Sequence, residues 1–423
     1  MTPFLQLILL LAVLLFLSKL AGYISTRLHQ PAVLGELMVG LLIGPSLLDL
    51  PHQPIFAGHD LSVVLHDLAE IGVLLLMFVA GLELNVRDLA RSSKVSVLAG
   101  TLGVFFPVLL GSLASWLISR DLQEAVFIGL TLGATSVSIS AQTLIELRAL
   151  RTRVGFGLLG SAVFDDVLVI LLMSVVVAIF SGGARLIDIL WDLAKMALFL
   201  SGSVALGWLL LPKLVHKVSR LPISQGVLTL SLVVLFTYGA AAELLGGMAA
   251  ITGAFIAGLM FGRSPEREQL EDGISALSYG LFVPLFFINI GLSVNVRDLR
   301  LDDFWFTLVI LIVAVLGKLL GSGLGAWWGG FTLRESLLLG AGMVSRGEVG
   351  LIIATIGVME GFMSEKHFSV IVAMVIFTTL ITPPLLRYLH QKQLQEAKAL
   401  AEKTGSLAPE MLESTPVVDK ESI

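Results

Sequence analysis

About thirteen apolar stretches follow one another along the 423 residues of this chain: near 4–25, 32–50, 62–84, 95–118, 123–146, 153–181, 189–212, 223–245, 247–262, 274–294, 303–328, 334–358 and 366–388. A helix needs roughly 17–25 predominantly apolar residues to cross a bilayer. In lipid each backbone N–H and C=O must be satisfied by the protein itself, so runs of this length become helices. The expected fold class is all-α: a polytopic membrane protein of about thirteen transmembrane helices. Composition agrees, with 56% hydrophobic and 14% charged residues. The 42 glycines allow close helix packing and broken helices. The absence of cysteine excludes disulfides, zinc–thiolate sites and cysteine nucleophiles. The N-terminus has no basic n-region and no A-x-A cleavage site, so Phe4–Tyr23 reads as a retained first span.

Lys and Arg set the expected orientation. With the N-terminus outside, the inside loops hold fourteen Lys and Arg and the outside loops five. The C-terminus is then cytoplasmic, as an odd number of spans requires. An internal repeat accompanies this count. Gly81–Leu89 reads GLELNVRDL and Gly291–Leu299 reads GLSVNVRDL, identical at seven of nine positions with an offset of 210. A weaker echo joins GLLIGPS at Gly40 to GLMFGRSP at Gly258. Seven spans separate the copies, so they are expected to be inverted across the membrane. Inverted repeats place an ion site near the midplane, where the copies meet.

The run Leu158–Val177 carries Asp165 and Asp166 side by side in an otherwise apolar segment. One carboxylate at mid-depth costs roughly 2.5–3.5 kcal/mol on insertion scales. Burial and mutual repulsion both disfavour two negative charges there, so the pair is suited to hold a proton or a cation and to exchange one for the other. Lys318 lies mid-span in VAVLGKLLGSG and needs a carboxylate or the loss of its charge. Adjacent helical residues point about 100° apart. One aspartate can therefore face Lys318 while the other faces an aqueous cavity. The charges break the repeat: positions equivalent to the aspartates fall on Ala373–Ile376, and those equivalent to Lys318 and Arg346 fall on Val108 and Ser138.

Two spans carry polar interruptions. The fifth contains Thr135, Ser136, Ser138 and Ser140, a poor helix centre. The twelfth, Gly340–Gly350, is glycine-rich and holds Arg346 and Glu348, read as structural charges. Unwound backbone at this depth survives only where it is buried or lines a cavity. Two broken helices would offer half-helix ends and free carbonyls to a hard cation. Unbroken helices, with hydroxyls bonded to the preceding turn, are the alternative. Glu36 is expected at the N-terminus of the second span, where the helix dipole favours it. Glu70, Glu83 and Glu243 read as interfacial, and the seven histidines form no ligand cluster. An intramembrane aspartyl protease would need its aspartates on different helices. A gated cation channel would be opposed by Lys318 beside the pore.

ATSVSIS followed by FDDVL, a mid-span lysine and SRGEVGLIIA resemble the monovalent cation:proton antiporter-2 superfamily, and its NapA-type sodium/proton antiporters in particular. The resemblance covers about residues 5–390. It implies Asp166 as the ion-binding aspartate, Asp165 as the partner of Lys318, and an unwound crossing at Thr135–Ser140 completed by the twelfth span. Na⁺ or K⁺ would then be carried at Asp166 and Asp165, with Thr135, Ser136 and Ser138 alongside, in exchange for H⁺. The implied fold is NapA/NhaA-like, with two crossed, broken helices. It also implies a homodimer in the lipid bilayer. The dimerisation domain would comprise 1–94 and 221–300, the core ion-transport domain 95–182 and 301–390, and the linker helix 183–220. The core would move as an elevator. Residues 391–423 are expected as a short, largely disordered cytoplasmic tail. That tail contains no GxGxxG, so neither a nucleotide-binding tail nor a cofactor is expected, and nothing suggests nucleic acid or an enzyme. Kef-type potassium systems, the alternative, usually carry Gln in place of the first aspartate. The expected setting is the plasma (inner) membrane and the expected role pH homeostasis, by exchange that is electrogenic if two protons move per cation.

Overall fold

Several helices in this chain begin where a hydroxyl, carboxylate or proline meets an apolar run, as at Thr2, Pro31, Asp121 and Thr332, and several stop at glycine, as at Gly44 and Gly262. The computed structural model describes residues 2–404 apart from 51–52, 54–55, 57–60, 85–91, 181–185 and 294–303. In order it contains α1 (Pro3–Arg27), α2 (Ala32–Ile43), α3 (Leu61–Glu83), α4 (Ser93–Ser119), α5 (Leu122–Gly133), α6 (Val137–Glu146), α7 (Arg153–Phe180), α8 (Leu186–Ser219), α9 (Gly226–Leu244) and α10 (Ala250–Phe261). There follow α11 (Arg267–Leu277), a π-helical turn (Ser278–Phe282), α12 (Val283–Leu292), α13 (Phe304–Trp328), α14 (Leu333–Gly342), α15 (Glu348–Met359) and α16 (Glu365–Thr404). No strand occurs among the described residues.

Ten helical stretches among the described residues are long and apolar enough to cross a membrane; three more apolar helices, Ala32–Ile43, Ala250–Phe261 and Val349–Met359, are shorter. The stretch expected near 32–50 gives only the 12 residues of α2. Gly44 is extended (ψ −171°) and precedes Pro45, whose ring disfavours the helical region for the residue before it. The stretch expected near 334–358 is divided at 343–347. The last helix runs beyond the expected 388 to Thr404, through Leu394–Lys403 and despite Pro383 and Pro384. The disordered tail expected over 405–423, most of both repeat motifs, and Arg87, Arg91, Arg185, Arg297 and Arg300 among the orienting charges lie outside the described residues.

Burial follows helix geometry, not hydropathy. In α1 the buried residues are Gln6, Leu10, Leu14, Ser18, Gly22 and Ser25, a stripe with a four-residue step. Phe4, Leu5, Phe16 and Leu20 stay exposed on the other side, which suits a surface facing lipid tails. The C-terminal half of this seam is marked by small residues, Ser18, Gly22 and Ser25.

The repeat has a counterpart in packing. A Cβ at Gly40 on α2 would collide with the Ile288 carbonyl oxygen on α12; one at Gly258 on α10 would collide with the Phe78 carbonyl oxygen on α3. Ile288 and Phe78 are 210 residues apart, like Gly291 and Gly81. Gly291 in turn abuts Gly40, and Gly81 abuts Phe255 and Leu259 beside Gly258. The first helix of each copy therefore packs against the second helix of the other, through the same glycines. Only glycine permits backbones this close.

Candidate functional site

The two interrupted stretches supply the frame. Asp121 starts α5 by accepting from Gln123 N and Glu124 N at 2.9 and 3.1 Å. Thr332 and Glu335 start α14 as a reciprocal capping box. Each helix stops part-way, α5 at Gly133 and α14 at Gly342, and the chain resumes as α6 at Val137 and α15 at Glu348. Ala134 and Ser136 are extended. The freed backbone groups find each other: Ser136 N donates to Ser345 O at 2.9 Å, and Ser345 Oγ donates to Ser136 O at 2.6 Å. Ser140 Oγ donates to Gly342 O and lies 3.2 Å from Ser345 Oγ. Ser136 and Ser138 hydroxyls are 3.2 Å apart. Several of the backbone groups that the breaks release are thus paired across them, as burial requires.

The charges stand around this meeting point. Asp165 and Asp166 lie on α7, and Lys318 lies on α13. Lys318 Nζ donates to Asp165 Oδ1 at 2.6 Å, with both side chains fully buried. Charge-assisted bonds of this length are strong, but they persist in a dry interior only because each ion neutralises the other. Asp165 Oδ2 has no hydrogen-bond partner among the described residues. Asp166, one residue on, turns away from Lys318. It is 4% exposed and lines a small cavity with Met77, Val137, Ala162, Thr252 and Phe255. Thr252 Oγ1 donates to Asp166 Oδ2 at 3.5 Å. The divergence required of adjacent helical residues is therefore realised, with Asp165 on the ion pair and Asp166 on the cavity.

Arg346 sits in the second break and is fully buried. A carboxylate partner is expected from charge alone. Its guanidinium instead donates to three main-chain carbonyls, Ala314 O on α13 at 2.9 Å, Met343 O at 3.3 Å and Val344 O. Asp165 lies within its electrostatic reach. Thr379 on α16 donates to Arg346 O at 2.7 Å and fixes the break from the other side. Arg346 therefore holds unwound carbonyls in place, a structural part. Glu348 opens α15, and its side chain lies outside the described residues.

Of the residues singled out in the sequence, Asp165 and Lys318 meet directly. Ser136 lies in the break and Ser138 in the first turn of α6, and Val137 between them lines the Asp166 cavity. Thr135 is buried there, with no partner for its hydroxyl among the described residues. Sequence reasoning missed Ser345 and Thr252. Ser345 lies 209 residues after Ser136, one short of the repeat offset, so the repeat leads to its immediate neighbourhood. Thr252 had no signal beyond a lone hydroxyl in a short apolar run. Glu36 is not at the start of α2, as expected, but one turn in, where Ser18 Oγ donates to it at 2.9 Å. The carboxylate at that helix N-terminus is Glu146 of α6, accepting from Ala32 N at 2.6 Å and Val33 N at 3.2 Å. Both acids line a cavity of about 320 Å³ with Lys19, Gln142 and Tyr279. Among the described residues no three His, Cys, Asp or Glu cluster as metal ligands.

Comparison with known proteins adds to this geometry. Residues 12–390 match the family model described as "Sodium/hydrogen exchanger, transmembrane". The chain is 38% identical over 378 residues to the Na(+)/H(+)-K(+) antiporter GerN of Bacillus cereus, covering 89% of this chain and 95% of that one. It is 34% identical over 384 residues to a Na(+)/H(+) antiporter of Enterococcus hirae, covering 90% and 97%. The fold matches the sodium proton antiporter MjNhaP1 of Methanocaldococcus jannaschii with a TM-score of 0.66 at 19% identity, covering 92% of this chain and 98% of that one.

Proposed function

We infer, from the premise that this chain belongs to the sodium/hydrogen exchanger family, that it exchanges Na⁺ for protons across a membrane and that Asp166 is the group over which cation and proton compete. One observation carries this reading: two neighbouring aspartates have opposite surroundings, Asp165 in a buried ion pair and Asp166 on a cavity. A carboxylate in such a cavity holds one positive charge at a time. A proton satisfies it, or a cation does, with hydroxyls and unwound carbonyls completing the oxygen shell that a hard cation requires.

The finer points belong to the same proposal. Thirteen membrane segments cross, two of them short and two divided, with the two breaks as a crossing at mid-depth. The core, 95–182 and 301–390, moves against the dimerisation domain, 1–94 and 221–300, with 183–220 as the link. The chain works as a homodimer in the plasma membrane, N-terminus outside, and serves pH homeostasis. When a cation enters at Asp166, Asp165 turns toward it and Lys318 loses its partner. An unpaired lysine in a dry site gives up its proton. Two protons then leave for one cation, and the membrane potential contributes roughly 2.3 kcal/mol per 100 mV to the cycle.

The name of the Na(+)/H(+)-K(+) antiporter GerN also includes K⁺, so K⁺ is the second cargo to test. The experiment is exchange by the purified protein in proteoliposomes with Na⁺, Li⁺ and K⁺ under imposed voltage. The expected result is Na⁺-driven proton release with a reversal potential that shifts with voltage. Balance at zero current whatever the voltage would mean one proton per cation and a structural Lys318. Conduction without proton movement would overturn exchange in favour of a channel.

A further inference from the structure

The Asp166 cavity carries one polar side chain from a helix other than α7, Thr252 of α10. Among the described residues lining it, only Asp166 and Thr252 carry polar side chains; Met77, Val137, Ile251 and Phe255 are apolar. Thr252 is 2% exposed, and its hydroxyl donates to Asp166 Oδ2 at 3.5 Å, the long limit for such a bond. Most other threonines inside the described helices behave differently, Thr379 with its bond to Arg346 O being an exception. Thr131, Thr143, Thr237, Thr378 and Thr382 each donate to a carbonyl three or four residues earlier on their own helix, the usual way to satisfy a hydroxyl in an apolar setting. Thr252, the third residue of α10, sends its hydroxyl across to another helix instead.

Helix length explains how it gets there. The 12 residues of α10 rise about 18 Å, well short of the ~30 Å hydrocarbon core. One end of α10 must be recessed into the protein. The contact with Asp166 identifies that end as the N-terminal one, whose dipole presents positive charge to the carboxylate. α10 packs against α3 and α9, not within the α4–α7 stretch that carries Asp166.

We propose that Thr252 is a cation-positioning and selectivity-determining residue for exchange at Asp166. The inference rests on Asp166 being the exchange carboxylate. Without a cation, the hydroxyl donates to Oδ2 and keeps the carboxylate turned into the cavity. A hydroxyl has one donor and two acceptor lone pairs. When a monovalent cation enters, rotation about the Cβ–Oγ1 bond turns a lone pair onto it, and Thr252 becomes the one side-chain oxygen in the lining besides those of Asp166. Its reach from α10 then limits how large the bound cation is.

The test compares Thr252→Val, which removes the hydroxyl at nearly constant shape, with Thr252→Ser, which keeps it. Exchange is measured in proteoliposomes with Na⁺, Li⁺ and K⁺. Cation-dependent thermal stabilisation of the purified protein gives a readout independent of transport. For T252V, the KM for Na⁺ should rise five- to tenfold with kcat within twofold. The KM ratios among the three cations should change, and Na⁺ should stabilise the protein less. T252S should stay within twofold of the parent in each. T252A makes the same deletion if T252V does not fold. An unchanged KM and unchanged ratios in the variant without the hydroxyl would overturn the proposal. So would T252S shifting as far as T252V, which would show that any change of side-chain shape at position 252, and not loss of the hydroxyl, moves the site. Undiminished Na⁺ stabilisation in Asp166→Asn would overturn the placement of the cation itself, and this inference with it.

Discussion

The stretches α4–α7 and α13–α16 each run from a long helix to an interrupted one and on to another long helix, yet the first buries Asp165 and Asp166 and the second buries Lys318 and Arg346. Their backbones are treated alike. The breaks exchange reciprocal bonds between Ser136 and Ser345, and Gly317 of α13 abuts Pro107 of α4, 210 residues earlier. Their charges are not alike, and electrostatics gives the reason. A symmetric copy of each acid would double the buried carboxylates around the breaks, and like charges in a low dielectric repel strongly. Placing acid on one copy and base on the other lets the site neutralise itself in the absence of cargo. It also frees one carboxylate, Asp166, from permanent pairing with the lysine.

Four substitutions break or sharpen this contrast. The largest effect is expected at the acid side: Asp166→Asn should lower exchange at least 100-fold in proteoliposomes while circular dichroism and oligomeric state stay those of the parent. Exchange at the parent rate would dissolve the distinction between the two aspartates. On the base side, Arg346→Gln strands the Ala314, Met343 and Val344 carbonyls and removes a buried positive charge, a loss on the order of 3–5 kcal/mol. A fall in the melting temperature of the detergent-purified protein is the measurement, and Arg346→Lys should recover only part of it. Lys318→Gln leaves Asp165 buried without its counter-ion, at a cost of about 3 kcal/mol. The double variant with Asp165→Asn should recover much of that, because it removes the stranded charge; strictly additive losses would mean that the pair is not coupled. The smallest effect belongs to the shared scaffold. Ser345→Ala deletes one donor to the Ser136 carbonyl, about 1 kcal/mol, and should register as faster amide hydrogen exchange at both breaks. Faster exchange confined to one break would show that the two are not held by each other.

Much of this arrangement is legible in the residues, and the legible parts share a cause. Bilayer spans and breaks are local properties. Glycines and hydroxyls at 133–140 and 340–347 weaken a helix wherever it packs, and the structure interrupts both stretches there. An intramembrane lysine needs an acid whatever the fold, which narrowed its partner to Asp165 or Asp166 before any coordinates. The repeat offset carried the symmetry of the glycine contacts without showing which helices would meet.

What only the tertiary structure decided depends on helix rotation and on partners far apart in sequence. The rotation of α7 realises the pairing of Asp165 with Lys318, which the resemblance implied and the residues by themselves left open between the two aspartates. The nearness of α13 gave Arg346 a carbonyl, Ala314 O, in place of the carboxylate its charge would suggest. Glu146 reached the start of α2 from 114 residues away and displaced Glu36 from that role. The recessed end of α10 brought Thr252 to Asp166 across 86 residues. Local chemistry fixes where a helix stops and which groups must be paired. It does not fix which face a helix presents, because in lipid both faces are apolar and only packing against neighbours chooses between them.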